Sequence, residues 1–152
     1  MVAESEAWRH SNIGRLLNNA IRRFEARVLE VLAEEGYSGT RLSHINLTRN
    51  LDLTGTRITE LARRAALTKQ AMSELVLQCE KLGLVTVVQD SSDGRAKLVL
   101  FTKEGNLWME AFKLALKVAE DEMREELGTL RVDGIAVALK AYAASFDPLV
   151  RD

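Results

Sequence analysis

The chain has 152 residues, 47% apolar and 28% charged, with a net charge of −1. That balance is one of a globular rather than a disordered chain and argues against a protein that coats nucleic acid by bulk charge, and no apolar run approaches the ~20 residues a membrane-spanning helix needs. One cysteine and 2 histidines exclude a disulfide framework and argue against a zinc site.

From the N-terminus, MVAESEAWRH is charged where an export signal would be apolar, so a cytoplasmic setting is expected. SNIGRLLNNAIRRFEARVLEVLAEEG then reads as one long amphipathic helix, with Ile13, Leu17, Ala20, Phe24, Val28 and Val31 recurring at helical spacing. Ser11 or Asn12 is placed to cap its start and Gly36 to end it. A shorter helix is expected over about Arg41 to Leu51, before DLTGT breaks the chain. RITELARRAAL predicts a helix starting between Thr56 and Thr59, and TKQAMSELVLQCEKLGL another, with Thr68 as N-cap and Gly83 at its end. LVTVVQD and RAKLVLF are β-rich, and SSDG between them supplies the turn of a hairpin. KEGNLWMEAFKLALKVAEDEMREELG returns to a long helix closed by Gly128. RVDGIAVALKAYAASF predicts a shorter last helix, interrupted by Gly134 and ending before Pro148.

Charge is distributed unevenly over these elements. Residues 1–56 are neutral on balance, residues 57–103 carry a net +3 and residues 104–152 a net −4. A phosphate near the middle third would respond mainly to that local excess, because the Debye length at physiological salt is ~8 Å.

Two short helices joined by ARRAALTKQ and followed at once by a hairpin form the pattern of a winged helix-turn-helix. On the second helix Met72, Leu75, Val76, Cys79 and Leu82 fall on one side and predict the core face. The other side presents Gln70, Ser73, Glu74, Leu77 and Lys81, with Lys69 at its edge. Such a face fits a major groove, where Gln pairs with adenine and Lys with guanine or phosphate. The first N–H groups, around Thr68 to Gln70, suit a phosphate. Glu74 is discordant, since a carboxylate there must meet a cytosine amino group or turn aside. Alternation along the second strand puts Arg95, Lys97 and Val99 on one face and Ala96, Leu98 and Leu100 on the other. Asp93 is expected to hold the Arg95 guanidinium by charge-assisted hydrogen bonds. An arginine so held suits a narrow A·T-rich minor groove. The blander reading of each of these polar residues is a solvated helix face; the hairpin placed directly after the helix favours nucleic acid.

TELA, TKQAMSELV, EKLGLV, the wing D-x-R-A-K-L-V and the closing T-K-E-G together cover about fifty residues, and over them the sequence resembles the MarR family of transcriptional regulators. The resemblance implies a mainly α fold. It would combine a winged helix-turn-helix lobe with a two-stranded β-wing (37–103) and long terminal helices (1–36 and 104–152) forming a helical dimerisation region. It implies a homodimer on a palindromic operator in double-stranded DNA, chiefly a repressor, often released by a small phenolic or other anionic ligand, with no cofactor. On the matching positions Thr68, Lys69, Gln70 and Ser73 inherit the major-groove role, Arg95 the minor-groove role, Asp93 its support and Lys97 a phosphate contact. The chain departs from the family wing D-P-x-D-R-R: Ser91 stands in place of the proline and Gly94 in place of the first arginine. A looser wing tip with one charge fewer is the expected consequence.

The remaining candidates weigh against chemistry. Cys79 is expected in the core, where a thiol is inert, rather than as a redox sensor. His10 and His44 lie too far apart to suggest a metal pair, and a ligand-pocket or surface role for His44 is the lesser reading. Trp8 and Trp108 read as core or interface anchors. The run EDEMREE is expected to be a solvated helix face. No nucleophile–His–acid set or phosphate-cradling glycine loop is visible, which speaks against an enzyme. The rival to DNA binding is a winged-helix protein-interaction module.

Overall fold

The structure, a computed structural model, describes residues 2–146; the last helix ends at Ala143, before Pro148 as expected. The expected long helix forms, capped by Asn12, and a further helix precedes it. α1 (Val2–Ser11) precedes α2 (Ile13–Glu34), and Asn12 joins them in an extended conformation. Asn12 serves both helices: its Oδ1 accepts from the Arg15 N–H at 3.0 Å, while its Nδ2 donates to the Trp8 carbonyl at 2.7 Å. The C-terminal half of α2 buries Val28, Val31 and Leu32, whereas Ile13, Leu16, Leu17 and Ile21 remain exposed.

The middle of the chain folds as α3 (Leu42–Asn50), β1 (Thr56–Arg57), α4 (Ile58–Arg64), α5 (Lys69–Lys81), β2 (Val85–Asp90) and β3 (Asp93–Phe101). The strands form one antiparallel sheet in the order β1-β3-β2. β1, with Thr56 opposite Val99 and Arg57 opposite Leu98, adds a third strand to the expected hairpin. Two residues are too short for an alternation signal, so only tertiary pairing reveals it. Gly55 turns the chain into β1 at φ +97°, with the Leu98 and Leu100 side chains packed where a Cβ would stand. The core gathers Ile45, Leu47, Leu61, Met72, Val76, Cys79 and Val99 with Leu32 of α2 and Trp108 of α6 (Lys103–Leu127). Leu82, expected to face inward, is largely exposed because α5 ends at Lys81 and the chain turns away at Gly83, φ +78°.

His44 is buried at the start of α3. Its Nδ1 accepts the Arg41 N–H at 3.0 Å and its Nε2 faces Gln78 Oε1 at 3.2 Å, so it acts as a cap tied to α5. Burial, more than the opposing bond to Gln78, moves its pKa below the ordinary 6.5.

α6 and then α7 (Thr129–Ala143) complete the described chain, and α7 runs unbroken through Gly134. A lone glycine disfavours a helix by only about 1 kcal/mol, which the flanking Ala, Val and Leu outweigh. Trp108 fixes α6 to the lobe: its Nε1–H donates to Thr40 Oγ1 at 3.0 Å, and its ring stacks on Phe112 with centroids 5.1 Å apart. The acidic run is paired rather than merely solvated. Glu122 and Glu126 of α6 take bidentate bonds from Arg27 and Arg23 of α2, at 2.8 to 3.1 Å and 2.5 to 3.1 Å. Those hydrogen bonds hold both carboxyls below their ordinary pKa range. Arg124 bridges Glu120 and, across the α6–α7 corner, Asp133. Among the described residues no helix is long and apolar enough to cross a membrane.

Candidate nucleic-acid interface

α5 forms where the sequence places it. Thr68 is extended and its hydroxyl accepts the Ala71 N–H at 3.1 Å, satisfying one open donor of the first turn. The tight turn before it needs a left-handed residue, and Ala66 takes that role at φ 54°. Arg64, mostly buried, braces the turn from behind. Its Nη1 donates to the Asn50 carbonyl at 2.8 Å, its Nη2 to Asp52 at 3.1 Å and its Nε to Glu60 at 3.2 Å. Met72, Leu75, Val76 and Cys79 face the core as expected, which turns Lys69, Gln70, Glu74 and Leu77 outward and leaves Ser73 half-buried. Cys79 is fully buried, and burial alone pushes its thiol pKa up to about 12.

The hairpin is irregular at its tip. Gln89 pairs with Lys97, yet the next residue, Asp90, pairs with Asp93, so the register skips Gly94, Arg95 and Ala96. These three form a bulge on β3, the kind of feature that re-aims side chains at a sheet edge. Arg95 and Lys97 are both exposed. Asp93 supports Arg95 by a different bond from the one expected: its Oδ1 accepts the Arg95 backbone N–H at 3.1 Å. A short Asp two residues upstream closes onto the main chain more easily than onto a guanidinium that extends away from it. Among the described residues no ion pair engages the Arg95 guanidinium.

The turn itself is held by residues that the sequence pattern did not single out. Asp90 Oδ1 accepts the Ser92 N–H at 3.0 Å and its hydroxyl at 2.8 Å, and Asp90 Oδ2 accepts Nε–H of Arg57 at 2.8 Å. The two bonds from Ser92, then that from Arg57, bring the Asp90 carboxyl to a pKa of about 2. These bonds restrain a tip that lacks the proline. Asp90 and Ser92 carried a local signal, an acidic residue two before a serine at a turn. The link to Arg57, 33 positions away, had none.

α5 and the wing face each other across an open cleft of about 560 Å³. Lys69, Ser73, Leu77 and Glu80 line it from α5, Arg57 from β1, and Asp93, Arg95 and Lys97 from the wing. Five of the seven expected site residues therefore meet on one surface, while Thr68 and Gln70 stand at the exposed first turn of α5, outside the lining. Four cations against two carboxylates give the cleft a positive balance in a chain that is negative overall. A cationic cleft between a helix and a β-arm suits a polyanionic backbone.

Residues 42–96 match the family model of the MarR family. No curated protein matches the sequence. Among solved structures, the chain is similar to a transcriptional regulator (MarR family) from Rhodococcus sp. RHA1, at 22% identity over 86% of this chain and 91% of that one, with a TM-score of 0.70. CouR from Rhodococcus jostii RHA1, bound to p-coumaroyl-CoA, is 22% identical over 93% and 96% of the two chains, with a TM-score of 0.67. The transcriptional repressor CouR bound to a 23-mer DNA duplex is 20% identical over 91% and 96%, with a TM-score of 0.70. At these identities the solved structures speak for the fold.

Proposed function

We propose that this chain, whose residues 42–96 match the MarR family and whose fold is similar to that of a solved MarR-family transcriptional regulator, acts as a homodimeric repressor on a palindromic operator. α5 of each protomer enters a major groove, where Lys69, Gln70 and Ser73 meet base edges and Thr68 a phosphate. Arg95 of each wing enters the flanking minor groove, with Lys97 on the backbone. The observation that carries this reading is the single cleft joining Lys69 and Ser73 to Arg95 and Lys97.

The dimer is formed by the regions 1–36 and 104–152 around the DNA-binding lobe 37–103. Its support is the apolar surface left open on the terminal helices, where Trp8, Ile13, Leu16, Leu107, Leu130 and Leu139 are all at least 43% exposed. Two-fold symmetry then sets half-sites about one DNA turn apart, ~34–36 Å. A small phenolic or other anionic effector between lobe and dimer helices would alter that spacing and release the operator without touching a base contact. The fold shared with CouR, solved with DNA and with p-coumaroyl-CoA, supports both halves of the cycle.

The test is binding to a duplex that the protein itself selects from random DNA. Affinity is expected to fall with salt, at a slope near −0.9 per phosphate neutralised. Arg95→Ala should weaken binding by about 1–3 kcal/mol and relax the preference for A·T flanks. A protein that enriches no sequence and shows no salt-dependent shift at low salt would instead be the protein-interaction module.

A further inference from the structure

We propose that Arg57 is the positioning residue of the wing, a strut that sets where Arg95 stands relative to α5; the proposal rests on the wing's role in DNA binding. Arg57 belongs to two parts of the lobe at once. It pairs with Leu98 in the sheet, and it occupies the N-cap position of α4, the helix that leads into α5. From there its guanidinium reaches the wing turn: Nε donates to Asp90 Oδ2 at 2.8 Å and Nη2 to Ser92 Oγ at 3.4 Å. Asp90, whose side chain is only 14% exposed, spends its second oxygen on the Ser92 N–H and hydroxyl. The turn is thereby bonded to the frame of the helix-turn-helix and not only to its own strands.

That bond matters because Arg95 stands just beyond the turn. The ladder skips Gly94, Arg95 and Ala96, so cross-strand pairing with β2 does not place the backbone of Arg95. Its position comes from the Asp93 carboxylate, which holds the Arg95 N–H, and from the turn that carries Asp93. Moving the turn moves Arg95. Arg57 also lines the cleft, so a direct phosphate contact is the competing role for it. The two roles differ in a measurable way: a strut acts through Arg95, whereas a phosphate contact acts independently of it.

The experiment uses the full chain and a duplex recovered by the wild type from a random-sequence pool. Wild type, Arg57→Ala, Arg95→Ala and the double variant are compared across a salt series, with Asp90→Asn breaking the strut from its other end. Arg57→Ala and Asp90→Asn are each expected to weaken binding about tenfold, and Arg57→Ala to add less than about twofold in the Arg95→Ala background. In the DNA-free protein, amide exchange at Ser92 and Arg95 should accelerate in Arg57→Ala while the melting temperature moves little, since the Arg57 side chain is 43% exposed. Losses that multiply in the double variant, with a salt slope shallower by about one, would make Arg57 a phosphate contact and overturn the proposal. If Arg95→Ala weakens binding and Arg57→Ala does not, the strut alone falls. If neither variant alters binding, the wing takes no part in DNA contact, and the proposal falls together with the DNA-binding role it rests on.

Discussion

Cys79 lies in the middle of α5 with its thiol in the core, and burial holds its pKa at about 12. Because the thiolate is the reactive form, native protein at pH ~8 should resist alkylation and react fully only in denaturant, as mass spectrometry of the labelled chain would show. Cys79→Ser should destabilise by about 1–3 kcal/mol, through a buried hydroxyl in an apolar setting, and peroxide should not release DNA from the wild type. The position of Cys79 was legible because Met72, Leu75, Val76 and Cys79 share one helical stripe. Arg95 and Lys97 were legible as exposed wing cations for a similar reason, since they stand in a hydrophilic hairpin tip. What the side chains bond to was not. Asp93 holds a main-chain N–H rather than a guanidinium, and Arg57 meets Asp90 only because β1 closes onto the sheet. Periodicity reports which way a residue faces; a specific partner far along the chain depends on packing that no local window contains.

Gly105 shows how an element boundary can be fixed by close approach. It lies in the first turn of α6, where an added Cβ would fall on the carbonyl oxygen of Leu84, the residue just before β2. Thr102 stitches the same junction: its N–H donates to Leu84 O at 3.1 Å, its hydroxyl bonds Gly83 O, and it accepts the Gly105 N–H at 2.9 Å. Gly105→Ala should therefore destabilise by at least about 1–3 kcal/mol by overpacking, read as a lower denaturant midpoint with an unchanged m-value. By contrast Gly134→Ala, with open space around its Cβ, offers a control in which α7 should gain stability. Elements were read well where caps and periodicity agreed: Thr68 does cap α5, and Gly128 does close α6. They were missed where a segment is short and charged: Val2–Ser11 forms α1 ahead of the expected helix. Asn12 caps α2 as expected, and the same side chain also closes the end of α1.

At the scale of the molecule, the terminal helices expose more large apolar side chains than a lone protomer of this size should present to water. If the proposed dimer forms through these helices, a Leu16→Glu, Leu139→Glu double variant is expected to sediment as a monomer and to lose at least about 100-fold in operator affinity, because each half-site is then bound without the other. A double variant that sediments as a dimer would place the interface elsewhere. The α2–α6 ion pairs are exposed and contribute little individually, but Arg23 with Glu126 and Arg27 with Glu122 together fix the register of two antiparallel helices. α6 itself spans 25 residues without a break, from the Gly83–Leu84 corner that joins α5 to β2 out to Gly128. At 1.5 Å per residue that is a rod of about 37 Å, so tilting its far end by about 5° swings the near end by about 3 Å. The rise of one base pair is ~3.4 Å. In the proposed dimer, a small shrug between two protomers would thus arrive at the DNA as a missed step on the ladder, with α6 as the gearing.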